Sequence, residues 1–357
     1  MRKFNDLVID NLGNITNHTL ETARSGLGIS KSEFRKLLNG QNNEIFEIID
    51  NTLSDFILDQ INQNYLQVWL EGTAKNQKTI VNEFPDFFRY YFIFVHAANK
   101  IFGQIEKETV GKTADIKEIT LFCMLGNLCR MSDEIGVLLT NGSTKAALAL
   151  WRVFYEYTVV GVFLMEHDST ELFERYADHG QKNVDKQKNS FMKHFEDLKF
   201  KPLTDLTIQE IESKSTELKE KYGNDFLGEY AWAKPVFEKD KKRINFFDIE
   251  LKAGMNRYRP FYIWASGVVH PTCNSMTDYF NQEGKLIIGE ITCQKLDLKS
   301  YIDPAQLTVV VFYSFLNYFL YEYSADEEYD TNVLVLRKII ERLKDTFPEE
   351  RETTKED

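Results

Sequence analysis

The aromatic run RYRPFYIWASGVVHPTCN, residues 257 to 274, carries an arginine, a tyrosine, a serine and a histidine at helical spacing. On a helix over 258–270, Arg259, Tyr262, Ser266 and His270 fall at i, i+3, i+7 and i+11 and share one stripe. Phe261, Ile263, Trp264, Val268 and Val269 fill the other faces. An imidazole titrates near neutrality, so His270 is suited to taking and returning a proton. Two readings stand. In one, His270 caps or stitches the core through hydrogen bonds. In the other, the stripe faces a cleft and His270 is a working acid/base. Either way the stripe must find partners, because a buried unpaired polar group costs about 1–3 kcal/mol.

Two further segments pair charges with apolar helices. In LWRVFYEY, Arg152 and Glu156 are four residues apart, so they share a face of the most apolar helix of the chain. A desolvated ion pair is weak evidence for stability, so this one either fixes the register of a bundle or serves a site. Arg130 and Glu134, in CRMSDE, repeat the spacing. In ERYADHG, Arg175, Asp178 and His179 form a third cluster, which a solvated helix face also explains. Packing logic brings Arg152, Glu156, His179 and His270 toward one central polar pocket.

The elements that position these residues are helices. Apolar residues recur at three- and four-residue spacing almost throughout, and KLIIGEITC (285–293) is the one strand-like run. The fold class expected is all-α: a helical bundle with a small N-terminal helical region. Residues 1–40 form a helical hairpin, 41–110 a helical region packing on the core with breaks near Gly72 and at Pro85, 118–346 the main bundle, and 347–357 a charged tail. The polar stretch 106–118 reads as the linker. Helices 118–137 and 145–166 are expected to pack antiparallel across a turn at Asn141–Ser143. Helix 170–196 starts at Asp168 or Ser169. Thr207 caps a helix ending at Gly223, and Asp303-Pro304 marks the start of the helix that runs to 323.

Bulk properties bound the function. The chain has 357 residues and a formal net charge of −12, so nucleic acid would be met only by a local basic patch. Residues 146–165 are long enough to span a bilayer, but Arg152 and Glu156 would each cost about 2.5–3.5 kcal/mol at its centre, so a buried core helix and no membrane is the expectation. The four cysteines at 123, 129, 273 and 293 form no CxxC pair, and the N-terminus lacks a signal-peptide core; a reducing cytoplasm fits. No cofactor and no metal is expected. VGKT (110–113) lacks the earlier glycine of a phosphate-binding loop, no GxGxxG, HExxH or GxSxG occurs, and the six histidines show no ligand spacing.

The pattern made by LWRVFYEY, then ERY, then YIWASGVVHP resembles a bacterial family of unknown function, over roughly 118 to 280. That family looks like a relative of the HEPN superfamily. Its members are helical, often dimeric bundles, many of them metal-independent ribonucleases of phage defence in which an Arg and a His four to six residues apart polarise the phosphate and move the proton. The resemblance implies an endoribonuclease or RNA sensor with His270 as acid/base, Arg152 or Arg259 as phosphate contact and Glu156 orienting Arg152. Tyr262, Ser266, Arg175 and His179 would line the site. The spacing departs from the family's: ten residues separate Arg259 from His270, and three separate Arg175 from His179. A scaffold that binds without cutting therefore stands beside the nuclease, acting as a homo-oligomer or with a partner protein.

The stretch LETARSGLGISKSEFRKLLNG (20–40) resembles a helix-turn-helix of the phage-repressor type, with Gly28 at the turn. Residues 1–40 hold six Lys or Arg against four Asp or Glu, and Lys31, Ser32, Arg35 and Lys36 would face DNA. This is the alternative function, a non-enzymatic DNA- or protein-binding module. An ordinary helical hairpin packing on the bundle explains the same residues.

Overall fold

The structure, a computed structural model, describes residues 21, 24, 25, 28–38, 65–109, 111–239, 241, 243–270, 298–323 and 326–346. Among them are twelve α-helices, two short 3-10 turns and no strand, so the chain is all-α as its periodicity requires. The strand-like run at 285–293, Cys273, Cys293 and the tail at 347–357 lie outside the described residues. The helices are α1 (Lys31–Leu38), α2 (Tyr65–Glu83), α3 (Pro85–Thr109), α4 (Ile116–Thr140), α5 (Thr144–Glu166), α6 (Thr170–Asp178), α7 (Gln181–His194), α8 (Asp205–Tyr222), α9 (Phe246–Lys252), α10 (Arg259–Val269), α11 (Leu298–Tyr323) and α12 (Asp326–Lys344).

Backbone contacts divide the chain into two compact units. The smaller takes Met1–Phe84, Thr140–Gly142 and Met276–Asp297; the larger takes Pro85–Leu139, Ser143–Ser275 and Leu298–Asp357. The polar stretch at 106–118 lies inside the larger unit, where α3 runs to Thr109 and α4 begins at Ile116. In the smaller unit, α1 starts on a capping box. The Glu33 N–H donates to Ser30 Oγ at 3.3 Å and the Ser30 N–H donates to the Glu33 carboxylate at 2.9 Å. Gly28, at φ +63°, makes the turn before it.

The core of the larger unit is built around α5, whose buried side is Trp151, Phe154, Tyr155, Thr158, Val159, Val162 and Phe163. Its principal neighbours are α11, then α10 and α9. The antiparallel pairing of α4 with α5 is therefore not the main contact. Gly161 explains the preference for α11: a Cβ there would stand 2.3 Å from a ring carbon of Phe315, so only glycine lets the two helices approach so closely. Phe312 bridges α11 to α5 through Phe154 (ring centroids 5.5 Å) and to α3 through Phe94 (6.1 Å). The Tyr91 hydroxyl on α3 donates to the Ser132 carbonyl on α4 at 2.7 Å. Burying rings of this size is the chief stabilising term of such a bundle. Among the described residues α5 is the one helix long and apolar enough to cross a membrane, and 56% of that stretch is buried against the rest of the protein.

Five boundaries differ from expectation, the first being the break foreseen near Gly72, where α2 runs unbroken from Tyr65 to Glu83. The helix foreseen at 170–196 is interrupted at His179-Gly180 into α6, capped by Ser169 Oγ accepting from the Leu172 N–H, and α7. The cap of α8 is Thr204, whose hydroxyl accepts from the Thr207 N–H at 3.2 Å, so Thr207 is already inside the helix. Pro304 lies inside α11, which starts at Leu298. The helix of the aromatic run stops at Val269: His270 has extended backbone (φ −98°, ψ 135°) because Pro271 disfavours helical geometry in the residue before it. The stripe on α10 is thus Arg259, Tyr262 and Ser266, with His270 just beyond its end.

Candidate functional site

Where α10 lies on α5, the polar stripe of one meets the ion pair of the other. Arg152 Nη2 is 3.1 Å from Glu156 Oε1, closing the i,i+4 pair foreseen on α5. Arg152 Nε donates to Ser266 Oγ at 2.9 Å and Nη2 donates to the Tyr262 hydroxyl at 3.0 Å. That hydroxyl donates its own proton to Glu156 Oε1 at 2.7 Å. Ser266 donates to the Tyr262 carbonyl, one turn back, at 2.8 Å. Every hydroxyl here both gives and receives, which leaves neither hydroxyl orphaned and fixes the orientation of the guanidinium. Burial, reinforced by the neighbouring Glu156 carboxylate, pushes the Tyr262 phenol up to about 12, so it stays a neutral donor. Arg152 is 24% exposed and Glu156 34%, and Arg152 Nη1 donates to no described residue.

A second pair adjoins the first. Glu250, on α9, is fully buried and bound by the Arg259 guanidinium from the start of α10. The Tyr155 hydroxyl lies 2.8 Å from Glu250 Oε1 and 2.9 Å from the Met255 carbonyl, and its single proton serves one of them at a time. Burial, with the Glu250 charge second, raises the Tyr155 pKa far above its usual value. The Arg152 and Arg259 guanidinium groups both lie over the Tyr262 ring, at 5.1 and 5.3 Å from its centroid. Phe246 packs on the same ring at 5.0 Å and on Tyr155 at 6.1 Å. The result is two arginines and two glutamates set into one aromatic cluster.

Arg175 and His179 stand apart from this array and hold a loop. Arg175, buried beneath Tyr222 and Phe226, donates through Nε to the Trp232 carbonyl at 3.1 Å and through Nη2 to the Ala231 carbonyl at 3.2 Å. His179 Nε2 donates to the Gly228 carbonyl at 2.7 Å, and burial lowers its pKa. Between these two pins Tyr230 takes a left-handed conformation (φ 49°, ψ 20°). Its ring lies 6.2 Å from that of Phe246, against the aromatic cluster of the array, and burial and then Glu156 push its phenol up to about 12. Arg175 and His179 therefore hold the loop that carries Tyr230 and make none of the array's own hydrogen bonds.

The remaining foreseen residues lie outside the array. His270 is exposed at the end of α10, and its N–H is given to the Ser266 carbonyl at 3.1 Å. Lys31, Ser32 and Lys36 are exposed on α1 of the smaller unit, which also carries Arg35. Arg130 and Glu134 pair at 2.9 Å on the exposed side of α4. No group of three His, Cys, Asp or Glu among the described residues is arranged to hold a metal ion. Sequence reasoning missed Glu250, Tyr155 and Tyr230. The signal for Glu250 was its position: with Phe246, Ile249 and Ala253 it falls on the apolar face of α9, where a carboxylate must be paired.

Residues 118–286 match the model of a family of unknown function (DUF5677). No curated protein and no solved structure matches the chain. The matched stretch contains every residue of the two-pair array, so the array belongs to the part of the chain that is similar to that family.

Proposed function

We propose that the α5–α10 array binds the phosphodiester backbone of RNA, and that the protein is a HEPN-like, metal-independent ribonuclease or RNA sensor of phage defence working in the cytoplasm. One observation carries the reading. The Arg152 guanidinium is held on three sides by Ser266, Tyr262 and Glu156 and presents, at a partly exposed position, an Nη1 edge that no described residue takes. A guanidinium oriented before its ligand arrives loses little freedom on binding a phosphate, and its planar fork matches two phosphate oxygens. His270 follows Ser266 by one turn's length of chain and is open to solvent. As base, its imidazole would accept the ribose 2′-hydroxyl proton while the 2′-oxygen bonds to phosphorus and the bond to the 5′-oxygen breaks. The imidazolium would then return the proton to the departing 5′-oxygen. Arg152 would neutralise charge on the non-bridging oxygens, and Glu156 would keep Arg152 in place.

The test incubates the full chain with total RNA beside His270→Ala and Arg152→Ala. Decay by the wild type that both variants lack supports the nuclease. Decay that is absent, or equal in all three, ends it and leaves binding alone to be measured.

A second reading rests on the smaller unit: the turn at Gly28 leads into a capped helix whose Lys31, Ser32 and Lys36 are exposed. A module that reads duplex DNA with α1 would lose its salt-dependent binding in Arg35→Glu with Lys36→Glu.

A further inference from the structure

The chain is acidic overall, but residues 181–201 hold six lysines against three acids. On α7, Lys182, Lys186, Asn189 and Lys193 fall at i, i+4, i+7 and i+11 and share one face. Lys186, Asn189 and Lys193 are exposed, and Lys182 is half-buried. Of the three acids of the segment, Glu196 is exposed beyond the end of α7 and forms no ion pair with a described residue, and the other two are engaged elsewhere. Both Asp185 oxygens accept from the Ser215 hydroxyl, at 2.7 and 2.8 Å, which turns the carboxylate toward α8. Asp197 lies 3.6 Å from His194, and Lys188 is the lysine drawn off to α8, by Glu212 at 2.7 Å. Lys182, Lys186, Lys193, Lys199 and Lys201 make no ion pair with any described residue.

An aromatic ring stands at the far end. After α7 the chain reverses through Lys199, at φ +57°, and the Phe200 N–H donates back to the Phe195 carbonyl at 2.9 Å. This turn leaves Phe200, between Lys199 and Lys201, 62% exposed with its ring 6.3 Å from that of Phe191. A row of cations ending in an open ring is what a single strand of nucleic acid binds, phosphates on the lysines and a base on the ring. The near end leads to the array. The helix α7 starts two residues after His179, which donates to the Gly228 carbonyl at 2.7 Å, and two residues on from Gly228 the Tyr230 ring lies 6.2 Å from that of Phe246, which packs on Tyr262 at 5.0 Å.

We propose that the Lys182–Lys186–Lys193 face of α7, with Phe200 at its end, is a docking surface for single-stranded RNA that delivers the strand toward Arg152. The proposal deepens the RNA reading above and rests on it for the identity of the ligand. Along the helix axis the lysines stand about 6 and about 10.5 Å apart, a spacing that a flexible strand can follow. An anionic membrane is disfavoured because the lysine face is flanked by Asn183 and Ser190, which offer hydrogen bonds, while the exposed apolar groups of the segment, Val184 on the opposite side of α7 and Leu198 and Phe200 beyond its end, form no continuous apolar helix face.

The experiment measures anisotropy of a fluorescent single-stranded RNA with the full chain across a salt series. The variants are Lys182→Gln with Lys186→Gln and Lys193→Gln, Phe200→Ala, and His270→Ala. The triple variant is expected to flatten the slope of log K against log salt by about 2. Lys186→Gln with Lys193→Gln alone, at exposed positions, should flatten it by about 1.4 even if the half-buried Lys182 cannot be changed without disturbing the fold. Phe200→Ala should weaken binding about fivefold with the slope unchanged. Wild-type affinity and slope in the lysine variants would overturn the surface while RNA decay lost in His270→Ala kept the nuclease. The reverse pattern, lysine-dependent binding without decay, would end the nuclease and keep the surface. Wild-type protein that ignores the RNA overturns the surface, whether or not it binds phosphatidylserine vesicles instead.

Discussion

Two Arg–Glu pairs in one aromatic cluster differ chiefly in depth, and depth decides what each loses on substitution. Glu250 is fully buried, so Arg259→Ala leaves a carboxylate with, among the described side chains, only the Tyr155 hydroxyl to offset its lost hydration. Breaking a pair of that kind costs about 3–5 kcal/mol, and the partial exposure of Arg259 (31%) puts the expected cost near the lower end. Glu156 can keep water when Arg152 is removed, so Arg152→Ala should cost about 1 kcal/mol or less. Urea unfolding of the two variants side by side checks the difference. Equal midpoints would mean that Glu250 is not held as a charge in the folded chain. Of these residues, Arg152 and Glu156 were legible as a pair, because four residues on a helix is one face whatever surrounds it. Glu250 was not read as a partner of Arg259, because α9 and α10 are brought together by a turn whose course no periodicity records.

Between elements, the contact of α5 with α11 is set by a hydrogen atom where every other residue has a side chain. Gly161→Ala improves helix propensity by about 1 kcal/mol, yet its methyl group would overlap Phe315, which is itself fully buried. Overpacking of this kind costs about 1–3 kcal/mol, so the net effect expected is destabilisation. Gly267→Ala on α10, where no described atom lies within 4 Å of the new methyl, gains propensity without the overlap and should be neutral or stabilising. Thermal unfolding separates the two: a fall in Tm for the first and none for the second. The existence of these helices was plain from spacing, and their ends less so. Thr207 and Thr204 are both competent caps by type, and only the observed hydroxyl-to-backbone bond chooses between them. The end of α10 at Val269 could have been foreseen from Pro271, since a proline restricts the residue before it.

Over the whole molecule, 17 tyrosines make alkaline pH the informative variable. Burial first, and nearby carboxylates second, push Tyr262 and Tyr230 up to about 12, and Tyr155 and Tyr323 are raised as well. A phenol whose folded pKa is raised binds more protons in the folded state than in the unfolded one above pH 10. Its contribution is therefore complete below about pH 10, the ordinary tyrosine value, and is lost as the pH rises toward 12. Stability should be level up to about pH 10 and fall steeply above it, with phenolate absorbance appearing together with unfolding. Tyr262→Phe should make the fall shallower. A urea midpoint that declines equally in both proteins would show that Tyr262 is not among the groups responsible.

Taken alone, the order of residues determined the all-α class, the faces of the individual helices and the Arg152–Glu156 pair. These follow from a period of 3.6 residues and need no knowledge of what lies across from them. Which faces meet was decided only by tertiary structure. A helix presents the same stripe to any neighbour, and the neighbour is selected by ring volumes and by the space left at Gly161. That selection gave Arg152 to Tyr262 and Ser266, gave Arg259 to Glu250, and turned Arg175 and His179 toward the loop that carries Tyr230.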